Sequence, residues 1–284
     1  MSSKDAPNAS ATSLLANKPE GLGFQLRRIW HLGQDVFLPV GTFVALLIFW
    51  EFCVDTFEIP VYLLPAPSVI YVETAAEWSI VWGHTLATLK TVLLGFGLSI
   101  FISLPLGFAL TSSRLVSNAI YPLLVLTQSI PKVALAPILV IAMGANELPR
   151  VAVTFLVAFF PLVIAIATGL LSVPADLIEL SRSYKSSRIQ EMLRIRIPYA
   201  IPFIFSGLKA AIALAVVGAV VGEFVTSDSG LGYLIQTSTA FFRMPLAFGA
   251  MVLLSIMGIV LFQLVGISER VFFPWSSSRQ VFSG

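Results

Sequence analysis

Residues 176–209 read DLIELSRSYKSSRIQEMLRIRIPYAIPFIFSGLK and form a basic segment between two stretches that are almost wholly apolar. Five of the chain's 17 Lys and Arg residues fall between positions 182 and 196 of this segment: Arg182, Lys185, Arg188, Arg194 and Arg196. In membrane proteins, loops rich in Lys and Arg remain on the cytoplasmic side. The segment is therefore predicted to be a cytoplasmic loop between two membrane-spanning segments.

The composition indicates a membrane protein. Hydrophobic residues make up 57% of the 284 residues, charged residues 11%, and the mean hydropathy is +0.92, whereas a soluble domain has about 25% charged residues. The apolar runs are continuous and reach the length of about 20 residues that a spanning helix needs, without the alternation of barrel strands. An all-α, polytopic membrane bundle is expected. The net charge of +2 does not indicate nucleic-acid binding, and the single Cys53 excludes an intramolecular disulfide.

Six membrane-spanning helices are predicted, at 36–54, 84–110, 119–143, 151–171, 199–222 and 246–267. Residues 1–35 are predicted to be a cytoplasmic N-terminal tail with an interfacial stretch, 36–270 a membrane domain that contains the loop 176–198, and 271–284 a cytoplasmic C-terminal tail. Because residues 1–22 contain no apolar core, a cleaved signal peptide is not expected.

The basic residues also predict the orientation of the spans. Most of them fall on the side shared by the two tails, namely the N-terminal tail, Arg114, the 182–196 cluster, Arg270 and Arg279. Loops on the other side contain only Arg150 and Arg243. Both termini are therefore expected in the cytoplasm.

No catalytic motif is found in the sequence. It contains no GxxxxGK[ST] phosphate loop and no Gly-Lys pair, no HExxH motif and no paired cysteines, and its only histidines are His31 and His84. The chain is therefore not expected to be an enzyme. A membrane bundle of this kind takes its energy either from an ion gradient or from ATP hydrolysed by another subunit.

The basic loop is predicted to fold as two short helices. Asp176 can cap a first helix with Glu179 in its first turn, where a negative charge complements the helix end. That helix should stop near 185–187, and a second should carry Arg188, Glu191 and Arg194 on one face until Pro198 closes it. Such helices could enter a cleft of a cytoplasmic ATPase. The alternative is an ordinary interfacial loop bound to anionic lipid.

The loop resembles the coupling loop of permease subunits from binding-protein-dependent ABC importers. That pattern is Glu-Ala-Ala, three residues, Gly, nine residues, Ile, one residue, Leu-Pro, and three of its positions are matched, by Glu179, Ile195 and Pro198. The departures are Leu180 and Ser181 for the alanines, Lys185 for the glycine and Ile197 for the leucine.

The resemblance continues outside the loop, over about residues 60–270. The segments LPAPSVI, HTLATLKTVLLGFGLSI, SIPKVALAPILVIAMG and GEFVTSDSGLGYLI are similar to permeases of nitrate, sulfonate, taurine and bicarbonate importers. The implied fold is the type I ABC importer permease, with five core helices and one extra N-terminal helix. SIPKVALAP and GEFVTSDSGLGYLI are also similar to importers of thiamine pyrimidine precursors and riboflavin.

The resemblance implies a set of partners in the bacterial cytoplasmic membrane. They are a second copy of the chain, two cytoplasmic ABC ATPase subunits, an extracytoplasmic substrate-binding protein and the lipid bilayer. ATP and magnesium would be bound by the ATPase, with no cofactor in this chain.

Two groups of candidate residues follow. The resemblance implies a role in ATPase coupling for Glu179, Ser181, Lys185, Ser186, Ile195 and Pro198. Polar and ionisable groups inside spans are costly and predict a transport pathway, and these candidates are Gln128, Ser129, Lys132 and Glu223. Lys132 could instead pair structurally or lie near a surface, and Glu223 could be a gate residue or a packing partner.

The function expected from these observations is ATP-driven, alternating-access import of a small anion such as nitrate, a sulfonate, taurine or bicarbonate. One alternative is the same fold importing an aromatic heterocycle. A second is a gradient-driven secondary transporter, which would predict inverted repeats and intramembrane carboxylates as ion sites. A membrane enzyme or structural anchor is a third class, and it leaves the coupling loop unexplained.

Overall fold

The computed structural model describes residues 22–277, with the exception of Ser113 and Ser227, and every regular element in that part of the chain is a helix. The all-α fold class is thereby confirmed. The tails predicted at the two ends lie largely outside the described residues, which leave out 1–21 and 278–284.

The chain divides into two compact units, one ending at Ile59 and one beginning at Pro60. The first unit contains α1 (Leu22–Thr56), of which Phe37–Thr56 is apolar enough to span a membrane, with a mean hydropathy of 2.0. This stretch agrees with the predicted first span.

The second unit contains, in chain order, α2 (Pro67–Ala76), α3 (Trp78–Ser112), α4 (Arg114–Gln128), a 3-10 turn (Lys132–Leu135), α5 (Ala136–Met143), α6 (Glu147–Leu171), α7 (Ala175–Ser183), α8 (Arg188–Glu191), a π-helical turn (Met192–Arg196), α9 (Ile197–Thr226), α10 (Leu231–Ala240), α11 (Met244–Phe272) and α12 (Pro274–Ser277). Counting both units, five helices in the described residues are long and apolar enough to cross a membrane, or six if one bent pair counts as one span.

The bent pair corresponds to the third span, predicted at 119–143. Its two parts, Asn118–Gln128 and Lys132–Met143, are inclined at 83° to each other. The break falls at Pro131, which has an extended backbone with φ of −70° and ψ of 90°. Proline donates no backbone hydrogen bond and disfavours helical geometry in the residue before it, so the chain turns here.

The helix predicted to close at Pro198 instead continues. Residues from Arg188 to Val225 form one continuous helix, with the π-helical turn Met192–Arg196 joining α8 to α9. Proline lacks an N–H and its ring needs space near the preceding turn. Because a π-helical turn shifts the hydrogen-bond register by one residue, Pro198 is accommodated as the second residue of α9.

The core is formed by α3, α6 and α9, with α6 between the other two. The side chains of Leu162, Ile166 and Leu170 on α6 are fully buried. Polar groups of α3 contact the same helix, since Ser99 donates to the carbonyl of Phe155 over 3.2 Å. This arrangement makes α6 the central helix of the unit.

Close contact between α9 and α6 depends on two glycines. A Cβ atom at Gly218 would lie 2.9 Å from Cα of Thr154, and one at Gly222 would lie 2.9 Å from Cα of Arg150. Small residues spaced four apart let helix backbones approach in membranes. The pair is used within the protomer, against α6.

Candidate functional site

The N-cap of α7, the first of the two predicted coupling helices, lies two residues before the predicted cap Asp176. Pro174 is the N-cap residue, no side chain caps this end, and Asp176 lies in the first turn. The prediction that Asp176 caps the helix is therefore wrong. Pro174 has an extended backbone, with φ of −54° and ψ of 139°, so the helix starts as soon as the chain leaves this residue. An acid in the first turn still complements the helix dipole.

Lys185 forms the turn after α7 in a left-handed conformation, with φ of 55°. The amide of Lys185 donates to the carbonyl of Arg182 over 2.8 Å, and that of Ser186 donates to the carbonyl of Ser181 over 3.2 Å. These two bonds are those of a Schellman motif. Lys185 thus adopts the geometry for which the related coupling loops use glycine, at a cost of about 1 kcal/mol.

The second coupling helix, α8, begins with a capping box. The amide of Gln190 donates to Oγ of Ser187 over 3.3 Å, and the amide of Ser187 donates to Oε1 of Gln190 over 2.9 Å. The Ser-x-x-Gln spacing is a recognised signal for such a start. The structure confirms the predicted boundary between the two coupling helices at 185–187.

Four of the six candidate coupling residues lie around neighbouring cavities. Ser181, Ser186 and Ile195 line a groove of about 490 Å³ between α7 and the π-helical turn, and Ile195 and Pro198 line an adjoining pocket of about 220 Å³. The buried hydroxyl of Ser181 has no hydrogen-bond partner among the described residues.

The other two coupling candidates lie outside these cavities. Glu179 is on the exposed surface of α7, and Lys185 is exposed at the turn that follows. Exposed side chains at these positions could contact another protein directly. Their role stays a prediction.

A third cavity, of about 880 Å³, lies on another side of α8 and contains charged groups that were not among the candidate site residues. Arg188 and Glu191 line it together, whereas Arg194 lines the groove that contains Ser181. The prediction that these three residues share one face is therefore wrong, because the π-helical turn between positions 191 and 194 changes the helix register. We call Glu191, Arg182, Arg196 and the carbonyl of Leu170 the Glu191 cluster.

The three candidates in the bent pair lie at its break. Gln128 ends α4, Ser129 follows it, and both are exposed. Nζ of Lys132 donates to the carbonyl oxygen of Gln128 over 3.3 Å and lies 5.1 Å from the ring centroid of Phe160. A Lys over an aromatic face makes a cation–π contact. The ammonium group therefore already has partners within the protomer.

Glu223 lies near the end of α9 and is fully buried. Its Oε2 accepts hydrogen bonds from Oγ1 of Thr88 over 3.0 Å and from the amide of Gly232 over 2.8 Å. Thr88 in turn accepts from the amide of Leu231 over 2.7 Å, and Nδ1 of His84 accepts from the amide of Gly230 over 3.0 Å. We call these groups the Glu223 cluster. They join α3, α9 and the turn before α10.

The turn in this cluster requires glycine. Gly230 has φ of +113° and ψ of 162°, a conformation that is essentially restricted to glycine. A Cβ atom there would also overlap the carboxyl group of Glu223. The neighbouring Ser229 accepts from Nη1 of Arg150 through its carbonyl, over 3.3 Å. The turn is thus held from both sides.

An ion pair between Arg243 and Glu77 connects the end of α2 with the turn before α11. The hydrogen bond that Arg243 donates to Glu77 raises the pKa of its guanidinium group. Both side chains are partly exposed, and pairs of this kind contribute little to stability. No group of three or more His, Cys, Asp or Glu residues that could hold a metal ion occurs within the described part of the chain.

These features define a polytopic helical membrane protein with a segment of two short helices, α7 and α8, and a buried polar cluster near the end of α9. The chain belongs to the family of binding-protein-dependent transport system inner membrane components, which it matches over residues 100–277. The resemblance to importer permeases is confirmed, and the protein is a permease subunit of an ABC importer.

Relatives with assigned names agree with this family. A riboflavin transport system permease from Chloroflexus aurantiacus is 37% identical over 243 residues, covering 85% of this chain and 90% of that protein. A formylaminopyrimidine transport permease from Halalkalibacterium halodurans is 35% identical over 242 residues, covering 85% and 96%. A taurine transport system permease from Escherichia coli is 25% identical over 264 residues, covering 90% and 96%. These relatives are transport permeases rather than enzymes.

The fold also matches a solved transporter. A chain of the MetNI methionine ABC transporter in an inward-facing conformation has a TM-score of 0.57 and 20% identity, and the match covers 69% of this chain and 96% of that chain. At this identity the likeness concerns the fold alone.

Proposed function

We propose that two copies of this chain form a translocation pathway that opens alternately to each side of the membrane. Two cytoplasmic ATPase subunits, which bind ATP and magnesium, would drive the change, and an extracytoplasmic binding protein would deliver the solute. The observation that carries the proposal is the pair of short helices α7 and α8, with a groove of about 490 Å³ beside them.

The chemistry of the groove fits a protein partner. Its lining combines apolar residues such as Leu177 and Ile195 with the hydroxyl of Ser181, which is buried and has no partner among the described residues. A side chain of the ATPase could fill the apolar part of the groove. Glu179, exposed on α7, would contact basic groups of the ATPase. The basic residues of the segment favour its location in the cytoplasm. Both termini would lie on the same side.

For the solute, we propose an aromatic nitrogen heterocycle of the riboflavin or aminopyrimidine kind. The two relatives named for such compounds are 37% and 35% identical to the chain, against 25% for the relative named for taurine. Lys132 supports the same choice. Its ammonium group binds the Gln128 carbonyl and the ring of Phe160, and in this position it does not offer its charge to an anionic solute. A small anion such as taurine, nitrate or bicarbonate is the second candidate. It would require Lys132 to leave these partners and line the pathway with Gln128 and Ser129.

The Glu223 cluster would form part of the outer gate. The proposal rests on its position, since it joins α3 and α9 to the turn that begins at the exposed Asp228. In this interpretation, opening of the pathway to the outside would rearrange this turn. Glu223 would then be both a gate residue and a packing partner.

Reconstitution with the partner proteins tests the proposal. The chain, its ATPase and its binding protein are placed in proteoliposomes, and uptake of labelled riboflavin, formylaminopyrimidine and taurine is measured with and without ATP. We expect ATP-dependent uptake of one of the two heterocycles and no hydrolysis by the permease alone. Glu179→Lys should weaken copurification of the ATPase, with Glu73→Lys on the exposed part of α2 as the control. Normal transport by Glu179→Lys, with the ATPase still bound, would contradict the coupling assignment.

A further inference from the structure

The carboxylate of Glu191 lies at the centre of contacts among four parts of the chain. Its side chain is nearly buried, with 10% of its surface exposed. Oε1 accepts from Nε of Arg196 over 2.9 Å and lies 2.7 Å from Nη2 of the same residue, and Oε2 lies 3.5 Å from Nε of Arg182. Arg196 also donates through Nη1 to the carbonyl of Leu170, over 3.2 Å. One carboxylate thus connects α7, α8, the π-helical turn and the end of α6.

The pairing of Glu191 with Arg196 depends on the π-helical turn. The two residues are five positions apart, and in an α-helix such residues point in directions about 140° apart. A π-helical turn closes its hydrogen bond between residues i and i+5, which brings them to the same side. The pair and the turn therefore support each other. Without this register, Arg196 could not reach Glu191 and Leu170 together.

The Glu191 cluster ends at α6, the central helix of the unit. Leu170 is fully buried in the last turn of α6, and its carbonyl is among the terminal groups that lack a helical partner. Arg196 supplies that partner. Displacement of α7 and α8 would therefore be transmitted both to α9, through the continuous helix, and to α6, through the hydrogen bond of Arg196.

We propose that Glu191 is a positioning residue for energy coupling, which holds α7 and α8 together and ties them to α6 through Arg196. The role rests on the proposed function, because the ATPase is the part that would displace α7 and α8. It is distinct from docking, since Glu191 lines the cavity of about 880 Å³ and not the groove that contains Ser181. Loss of this carboxylate lets the coupling helices move without α6.

The decisive experiment compares transport with hydrolysis in the reconstituted complex. In Glu191→Gln, which keeps the size of the side chain, we expect the amount of riboflavin or formylaminopyrimidine taken up per ATP hydrolysed to fall at least tenfold. ATP hydrolysis in the presence of the binding protein should fall far less. Arg196→Lys, which keeps the charge and loses the second hydrogen bond, should give an intermediate ratio. Asp55→Asn, an exposed acid on α1, is the matched control and should keep the wild-type ratio.

A second measurement needs neither substrate nor nucleotide. Hydrogen exchange of the amides at 192–196 should be at least tenfold faster in Glu191→Gln than in the wild type, and unchanged in Asp55→Asn. The inference is overturned if Glu191→Gln keeps the wild-type ratio of uptake to hydrolysis. It is also overturned if assembly, hydrolysis and uptake all fall in proportion, which is the result of a merely structural role. A wild-type chain that binds no ATPase would instead overturn the proposed function, while the exchange rates would still report whether the contacts hold the segment.

Discussion

The hydroxyl of Thr88 donates a 3.0 Å hydrogen bond to the buried carboxylate of Glu223, although the two residues are 135 positions apart in the chain. The same hydroxyl accepts the amide of Leu231 over 2.7 Å. A single side chain on α3 therefore provides a hydrogen-bond partner both for a carboxylate near the end of α9 and for the first amide of α10. Because buried polar groups are costly when unpaired, Thr88 is a sensitive position for testing the cluster.

Thr88→Val should destabilise the protein by about 1–3 kcal/mol, because it leaves both Glu223 and the amide of Leu231 with one partner fewer. The measurement is thermal unfolding in detergent. Thr85→Val, one turn earlier on the same helix, is the control, since Thr85 bonds only to the carbonyl of Val81 within α3. Equal melting temperatures for the two variants would contradict the assigned role of Thr88.

Gly230→Ala should be more damaging than an ordinary glycine substitution. Its backbone conformation carries a cost of about 1–3 kcal/mol for other residues, and the added methyl group would overlap the carboxyl of Glu223. Gly258 on α11 is the matched control, because a Cβ atom there meets nothing within 4 Å. Gly258→Ala should be neutral or stabilising, as is usual within a helix. Yields of folded protein and melting temperatures distinguish the two.

Lys185→Gly should stabilise the turn after α7 by about 1 kcal/mol, since glycine adopts the left-handed conformation without steric cost. Ser183→Gly, inside the last turn of α7, should instead destabilise, because glycine weakens helices. Unfolding of the two variants and the wild type gives the comparison. If Lys185→Gly lowered stability, the side chain of Lys185 would have to make a compensating contact.

Substitutions at Lys132 distinguish a structural from a pathway role. Lys132→Gln keeps a donor for the Gln128 carbonyl without the charge, whereas Lys132→Ala removes both. For a heterocyclic solute we expect Lys132→Gln to retain most of the uptake and Lys132→Ala to lose more of it. Equal loss in both variants, with the complex intact, would assign to Lys132 the recognition of an anion.

Thiol labelling tests the orientation and the gate together. Single cysteines replace Ser186 and Ser229 in a Cys53→Ser background, and intact cells are treated with a membrane-impermeant reagent. Ser229→Cys should react, and Ser186→Cys should react only after permeabilisation. In the isolated complex, ATP with a hydrolysis-deficient ATPase should change the labelling rate of Ser229→Cys. A constant rate would argue against movement of this turn, and reversed sidedness would overturn the orientation.

Local sequence signals predicted the local structure well. Continuous apolar runs identified the helices, and the spacing around 185–187 identified the boundary between the coupling helices. Contacts between distant elements were not predictable in this way. Glu223 was recognised as an ionisable group in a span, but its partners Thr88 and His84 carry no local signal, since their role arises only when α3 packs against α9.

The errors in the sequence interpretation share a physical origin. Pro198 was expected to end a helix and instead lies inside one, whereas Pro131 does divide a span into two inclined parts. The effect of a proline depends on whether the chain beside it can change its hydrogen-bond register, as the turn at Met192–Arg196 does. That adjustment is a property of the packed structure. It also explains why the assignment of Arg194 and Glu191 to one face was wrong.

The tight packing of Gly218 and Gly222 against α6 affects how mutational data on subunit association should be interpreted. A pair of glycines at this spacing in an apolar helix is commonly taken as a dimerisation motif. Here its surface is occupied inside one protomer, by Thr154 and Arg150. A bulky residue at either glycine would separate α6 from α9 in each protomer. A variant such as Gly222→Leu that fails to form dimers would thus report a damaged protomer and would not identify the surface that joins two copies.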